Sequence, residues 1–375
     1  MISKDKHSLN PDTITVSQRI IKEDKMDIQY LKAWEAELNT CIRCAYCFEG
    51  CPVFKQLGWE VDGARGKAVL AYGLLTGELE PSDYVVRKIY ECSFCRDCTE
   101  RCSANVAIPD ILAAARADLV SAGFVYDEHR ALLDKIKQTG NIFGKKLTPP
   151  IREGETPILL GCRFLERSED AQRYLEILER IGIKPKVFDE ICCGMPFGVL
   201  GYKDELIHHQ QEFRKRLPGD EFICLCTTCT FFIKKSYSGL NPKYVIEVIR
   251  ERLPNVNVKK LGLKVTYHDP CNLARGLGMI EEPRDILRMI GVEVVELPTN
   301  GKEAECCGGG GGLLVTNREL AEKIAERRLN EAIELGVDML VTLCPTCELN
   351  LGNIAKRGDK IEVRNLLDLV WQALK

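Results

Sequence analysis

Apolar and polar positions along this chain change period partway. Over residues 64–77, Val69, Leu70, Tyr72, Leu74 and Leu75 recur among good helix formers, and Gly77 stands where a helix would stop. Residues 85–90 give a second apolar-spaced helical turn, and Pro109 opens a third helix over 110–122 that Gly123 closes. After residue 155, short apolar runs take over. Residues 157–162, 186–188 and 221–226 read as strands, and so do 263–271, 293–297 and 338–344. Helical stretches separate them, with Tyr174, Leu175, Ile177 and Leu178 in one half and Ile286, Leu287, Met289 and Ile290 in the other. This alternation predicts two repeated α/β units, each with a largely parallel sheet. The predicted organisation is an N-terminal extension (1–30), a helical domain (31–125), a linker (126–155) and the two units (156–260 and 261–375). The mildly basic stretch 250–264 reads as a solvated connection between the units.

Composition narrows the chemistry. The 375 residues are 45% hydrophobic and 29% charged, a globular balance. A net charge of −3 gives no reason to expect nucleic acid. No stretch approaches the ~20 apolar residues of a membrane span. The start of the chain is charged and has no secretory pattern, so the expected location is cytoplasmic. There, 19 cysteines read as metal ligands or redox groups rather than disulfides.

Eight cysteines form two runs, Cys41-x2-Cys44-x2-Cys47-x3-Cys51-Pro52 and Cys92-x2-Cys95-x2-Cys98-x3-Cys102-Ser103. This is the spacing of bacterial two-cluster ferredoxins, in which the fourth cysteine of each run serves the other cluster. Cys41, Cys44, Cys47 and Cys102 are therefore expected at one 4Fe–4S cluster, and Cys51, Cys92, Cys95 and Cys98 at a second. Zinc is the competing reading, and two complete runs argue against it. Ten of the remaining cysteines repeat. Cys162, Cys192, Cys193, Cys226 and Cys229 are followed 109 to 118 residues later by Cys271, Cys306, Cys307, Cys344 and Cys347. Each group falls at or just beyond a strand's carboxyl end, where α/β sheets gather their sites. Five thiolates exceed what a cubane needs. Cys224 is left over and is expected to be buried packing. His208 and His209, in a polar helix over 204–216, are expected at the surface, as are Arg43 and Arg96.

The stretches Tyr267-His268-Asp269-Pro270-Cys271, Cys306-Cys307 followed by Gly308 to Gly312, and Cys344-Pro345-Thr346-Cys347 resemble a cysteine-rich CCG domain. An N-terminal α-helical two-cluster ferredoxin domain followed by two repeated α/β CCG domains resembles the D subunit of heterodisulfide reductase. It is similar also to the iron–sulfur subunits of glycolate oxidase and anaerobic glycerol-3-phosphate dehydrogenase. The resemblance implies that each five-cysteine set holds a non-cubane 4Fe–4S cluster, the two facing each other across a disulfide site. It makes Cys193 and Cys307 the candidate catalytic thiols. His268, three residues before Cys271, is a candidate proton donor. Gly194, Gly308, Gly309 and Gly310 are candidates for turning backbone N–H groups toward anionic sulfur. Where the family often has His after the Cys of the His-Asp-Pro-Cys stretch, this chain has Asn272.

Two functions are then expected to compete. One is disulfide or thiol redox chemistry, with electrons passing through the ferredoxin clusters to the paired CCG clusters. The other is electron relay for a flavin-dependent hydroxy-acid or glycerol-3-phosphate dehydrogenase. Both need a flavin- or haem-containing partner subunit. A membrane-bound partner would imply peripheral docking.

Overall fold

The computed structural model describes residues 16–17, 26–358 and 361–375. Most of the predicted N-terminal extension lies outside them. The helical domain contains the predicted helices at Ala64–Thr76, Asp83–Tyr90 and Ile108–Ser121. Two of the boundaries have a clear local cause. Gly77 takes φ +71° after the first helix, and the Ser82 side chain accepts from the Val85 N–H at the start of the second. A short strand, β1 (Val16–Ser17), pairs antiparallel with β2 (Val125–Tyr126). The segment 126–155 carries a further helix, Asp127–Thr139.

The two α/β units share one topology. In the first, β3 (Thr156–Leu159), β4 (Pro185–Val187), β5 (Glu221–Cys224) and β6 (Asn241–Tyr244) lie in the order β4-β3-β5-β6. In the second, β7 (Lys264–Tyr267), β8 (Glu293–Val295), β9 (Met339–Thr342) and β10 (Glu362–Asn365) lie in the order β8-β7-β9-β10. All pairings in both sheets are parallel. The observed strands end earlier than the apolar runs, so the cysteines sit on the loops beyond them. Each unit also has a fourth strand, β6 or β10, which is polar and lies at a sheet edge.

Each unit's last helix packs on the longer helix between the first two strands of the other unit. Val245–Arg252 lies against Glu281–Met289, and Leu366–Leu374 lies against Ser168–Arg180. Arg250 reaches Asp285 at 2.5 Å, and Trp371 Nε1 donates to Glu176 at 2.9 Å. A single apolar core runs through both units. The stretch 250–264 is largely exposed, as expected of a connection, but its apolar members pin it to that core. Leu253 is buried, Val256, Val258, Leu261 and Leu263 pack on that core, and the Lys259 N–H donates to the Ala373 carbonyl.

The helical domain is equally bound in. Its core includes Cys192, Phe197, Leu200 and Tyr202 of the first unit. Fully buried Arg116 donates to the carbonyls of Ile89, Tyr90 and Cys92, to Val199 of the first unit, and to Gly311 of the second.

Candidate iron–sulfur centres

The two ferredoxin runs share an unusual backbone. Arg43 and Ala45 in the first run, and Phe94 and Arg96 at the same places in the second, all have φ between 55° and 69°. A left-handed turn costs a non-glycine residue ~1–2 kcal/mol. Here it flanks the middle cysteine on both sides and curls each loop so that its thiols converge. Cys47, pushed up to about 11 by burial, has Cys41 and Cys102 as neighbours. Cys51, also pushed up to about 11 by burial, has Cys95 and Cys92. Cys44 is exposed, as are Ile42 and Tyr46, whereas Cys95 and Cys98 are buried.

In the first α/β unit, Cys162 opens a helix after β3, Cys192 and Cys193 precede a helix at Met195–Leu200, and Cys226 caps Thr227–Ser236. Their thiols form a chain of hydrogen bonds from Cys162 through Cys192, Cys193 and Cys229 to Cys226. Hydrogen bonds from Cys192 and then Cys229 hold Cys193 down to about 6. The second unit repeats this from Cys271 through Cys306, Cys307 and Cys347 to Cys344. There, hydrogen bonds from Cys306 and then Cys347 hold Cys307 well below the usual thiol range. The helices Thr227–Ser236 and Pro345–Gly358 direct their positive N-terminal ends at these sulfurs.

The glycines divide their roles. The Gly308 and Gly309 N–H groups donate to Cys306 Sγ at 3.3 Å and Cys307 Sγ at 3.5 Å. The Gly194 N–H reaches Cys192. Gly310 and Gly311 serve close approach instead. A Cβ added there would fall 2.4 Å from the Ser93 carbonyl oxygen and 2.0 Å from that of Cys92.

His268 is buried. Arg328 Nε donates to its Nδ1 at 3.3 Å, which leaves the proton on Nε2. Nε2 has no nitrogen or oxygen partner among the described residues and faces the sulfurs of Cys307 and Cys347. Burial lowers the imidazole's pKa. The first unit has Leu159 at the matching position, and it draws a histidine from elsewhere. His209, expected at the surface, is buried against Phe197 with Nε2 2.6 Å from the Cys192 carbonyl. His208 and His209 line a cavity of about 950 Å³ beside half-buried Cys162.

Arg96 departs from expectation too. Its guanidinium lies 4.0 Å over the Phe231 ring and donates to Asn272 Oδ1 at 3.2 Å. Asn272 Nδ2 in turn donates to Thr228 Oγ1 at 3.3 Å, and that hydroxyl lies 3.7 Å from Cys344 Sγ. Asn272, a departure from the family pattern, thus joins the helical domain to both α/β units. The Arg43 carbonyl accepts from Arg65 Nη1 at an exposed site. Cys224 is buried, with Sγ donating to the Cys226 carbonyl at 3.5 Å.

The donor set suits iron–sulfur ligation. All 19 cysteines are free thiols. Eighteen of them stand in the ferredoxin runs or in the two thiol chains. The buried donors are sulfur, which favours iron–sulfur centres over hard cations.

Comparison with known proteins agrees. Residues 37–106 match a 4Fe-4S dicluster domain, and residues 158–234 and 265–352 each match a cysteine-rich domain, CCG. The B subunit of fumarate reductase (CoM/CoB) from Methanothermobacter marburgensis is 31% identical over 383 residues, covering 95% of this chain and 75% of that protein. The D subunit of dihydromethanophenazine:CoB–CoM heterodisulfide reductase from Methanosarcina barkeri is 27% identical over 386 residues, covering 90% and 94%. EtfAB:quinone oxidoreductase of Syntrophomonas wolfei is 22% identical over 417 residues, covering 90% and 58%. A solved Helicobacter pylori hypothetical protein shares the fold, with a TM-score of 0.54 at 12% identity over 92% of this chain and 76% of that one. With both domain types in order and 31% identity across three quarters of a relative, the chain belongs to the family of iron–sulfur oxidoreductase subunits that includes the D subunit of heterodisulfide reductase and the B subunit of fumarate reductase (CoM/CoB).

Proposed function

We propose that this chain is the iron–sulfur subunit of a heterodisulfide reductase-type complex, acting on a small disulfide or its thiols. The observation that carries the reading is the duplicated thiol chain. Cys193 and Cys307 are each flanked by two thiol donors from equivalent positions. Breaking one S–S bond to give two thiols takes two electrons and two protons. Two 4Fe–4S cubanes in the ferredoxin domain and two non-cubane centres in the CCG units would supply those electrons singly, in series.

The chain's own residues divide the remaining tasks. Cys41, Cys44, Cys47 and Cys102 hold the outer ferredoxin centre. Exposed Cys44, with Ile42 and Tyr46, marks where a flavin- or haem-containing partner subunit delivers charge. Cys51, Cys92, Cys95 and Cys98 hold the inner one, and the Cys95 thiol is a hydrogen-bond partner of Cys306. His268 presents its Nε2 proton to Cys307. The cavity beside Cys162 gives a small disulfide access to the first unit.

A second reading, relay without a substrate of its own, is favoured by the likeness to a protein named EtfAB:quinone oxidoreductase. Anaerobic EPR with candidate disulfides separates the two. A thiol-dependent signal, lost in Cys193→Ser and Cys307→Ser variants, is expected. No response to any disulfide, with normal electron throughput from a partner, would establish the relay instead.

A further inference from the structure

A buried guanidinium stands between the second ferredoxin run and the second CCG unit. Arg275 projects from a π-helical turn, Asn272–Leu277, directly after Cys271. Such turns interrupt regular helices and recur at functional sites. Its side chain is 1% exposed. Nε donates to the Cys95 carbonyl at 2.7 Å, and Nη1 donates to the carbonyls of Lys302 and Ala304 at 2.8 Å each. Its carboxylate neighbour, Asp97, is 3.7 Å away and is itself engaged by Arg101 at 2.8 Å. Nη2 is buried with no hydrogen-bond partner among the described residues. A buried charged donor left unpaired is costly. Around the guanidinium stand three thiols, those of Cys95, Cys271 and Cys306, together with Asp97. Those three come from two different centres, and Cys95 and Cys306 touch. Arg96 flanks the same junction, with Cys271 and Cys95 as its neighbours.

We propose that Arg275 is an electrostatic positioning residue: its fixed charge lies between the centre held by Cys51, Cys92, Cys95 and Cys98 and the centre held by the second five-cysteine set, raising both reduction potentials together. This rests on the reading that these cysteines hold clusters. One electron crossing the junction oxidises the ferredoxin centre by one and reduces the second-unit centre by one, with no bond made or broken. The charge moves from one side of the guanidinium to the other, so most of the attraction is retained. Neutralising Arg275 would make both centres harder to reduce and leave the other two alone. A purely structural clamp, acting through the three carbonyls, would not do this.

The test is an EPR-monitored redox titration of the anaerobically purified full chain, with iron content and thermal midpoint measured alongside. Arg275→Gln is expected to lower the potentials of two of the four centres by about tenfold in the one-electron equilibrium, 59 mV, the other two moving less than twofold. Full iron with no shift, or an equal shift in all four, would overturn the inference. If the Gln variant loses iron, Arg275→Lys decides. Full iron with wild-type potentials supports the charge role, and lowered potentials or lost iron overturn it. A wild type short of iron would sink the cluster reading and this inference with it. A wild type full of iron beside an iron-replete, unshifted Arg275→Gln variant sinks this inference alone.

Discussion

His129 joins two domains through one ring. It is buried between Tyr90 and Tyr126, with centroids 4.9 Å from each, and its Nε2 lies 2.7 Å from Thr316 Oγ1 in the second α/β unit. Burial, followed by the nearby Arg116 charge, depresses its pKa to about 3. Well above pH 6.5 the ring is neutral both folded and unfolded and contributes no pH dependence. Below that, the unfolded chain takes a proton that the fold refuses. Stability then falls by up to about 1.4 kcal/mol per pH unit, down toward pH 3. Chemical denaturation between pH 5.5 and 7.5 should show that His129→Gln flattens this acid limb; an unchanged slope would contradict the assignment. At this scale the two ferredoxin runs were legible, because their cysteine spacing is local in sequence. His209 was not, although Leu206, His209 and Phe213 fall at helical spacing and could have placed it on the apolar face. The partners of Arg96, Arg116 and Arg275 lie ~25 to ~200 positions away, so no local pattern announces them.

Elements owe their placement to close backbone approach as well as to apolar faces. The run from Gly308 to Gly312 looked uniform, but only its first two members donate to the adjacent cysteines. The rest let the second unit touch the Cys92–Ser93 backbone and Leu200. Gly311→Ala adds a methyl at φ +62° against a carbonyl oxygen. It should weaken docking of the helical domain by at least ~1–2 kcal/mol from backbone strain alone. Limited proteolysis checks this: faster cleavage near residues 92–103 is expected, and a wild-type pattern would contradict it. Three strands per unit were readable from apolar runs. β6 and β10 were not, because edge strands carry polar residues, and Pro242 in β6 is tolerated only at an edge. The strand ends were overestimated because the apolar run continues into the buried loop that carries each cysteine.

Taken whole, the molecule is a helical domain clasped by two α/β units that exchange their terminal helices across a shared core. The repeat itself was legible from cysteine spacing, but its pseudo-symmetric packing was not. A sequence period says that two units are alike and says nothing of which faces meet. Among the described residues no helix is long and apolar enough to cross a membrane. The architecture leaves Cys44 of the first ferredoxin run exposed, opens a cavity beside Cys162 in the first unit, and puts the Cys95–Cys306 contact between the ferredoxin domain and the second unit. Everything proposed for it depends on iron filling both halves. The most direct measurement is the metal and acid-labile sulfide content of anaerobically purified full-length chain, with Mössbauer spectroscopy to resolve the centres. The account predicts about sixteen irons per chain, half of them in centres unlike cubanes. About eight irons, all cubane, or zinc bound by the duplicated cysteines, would contradict it.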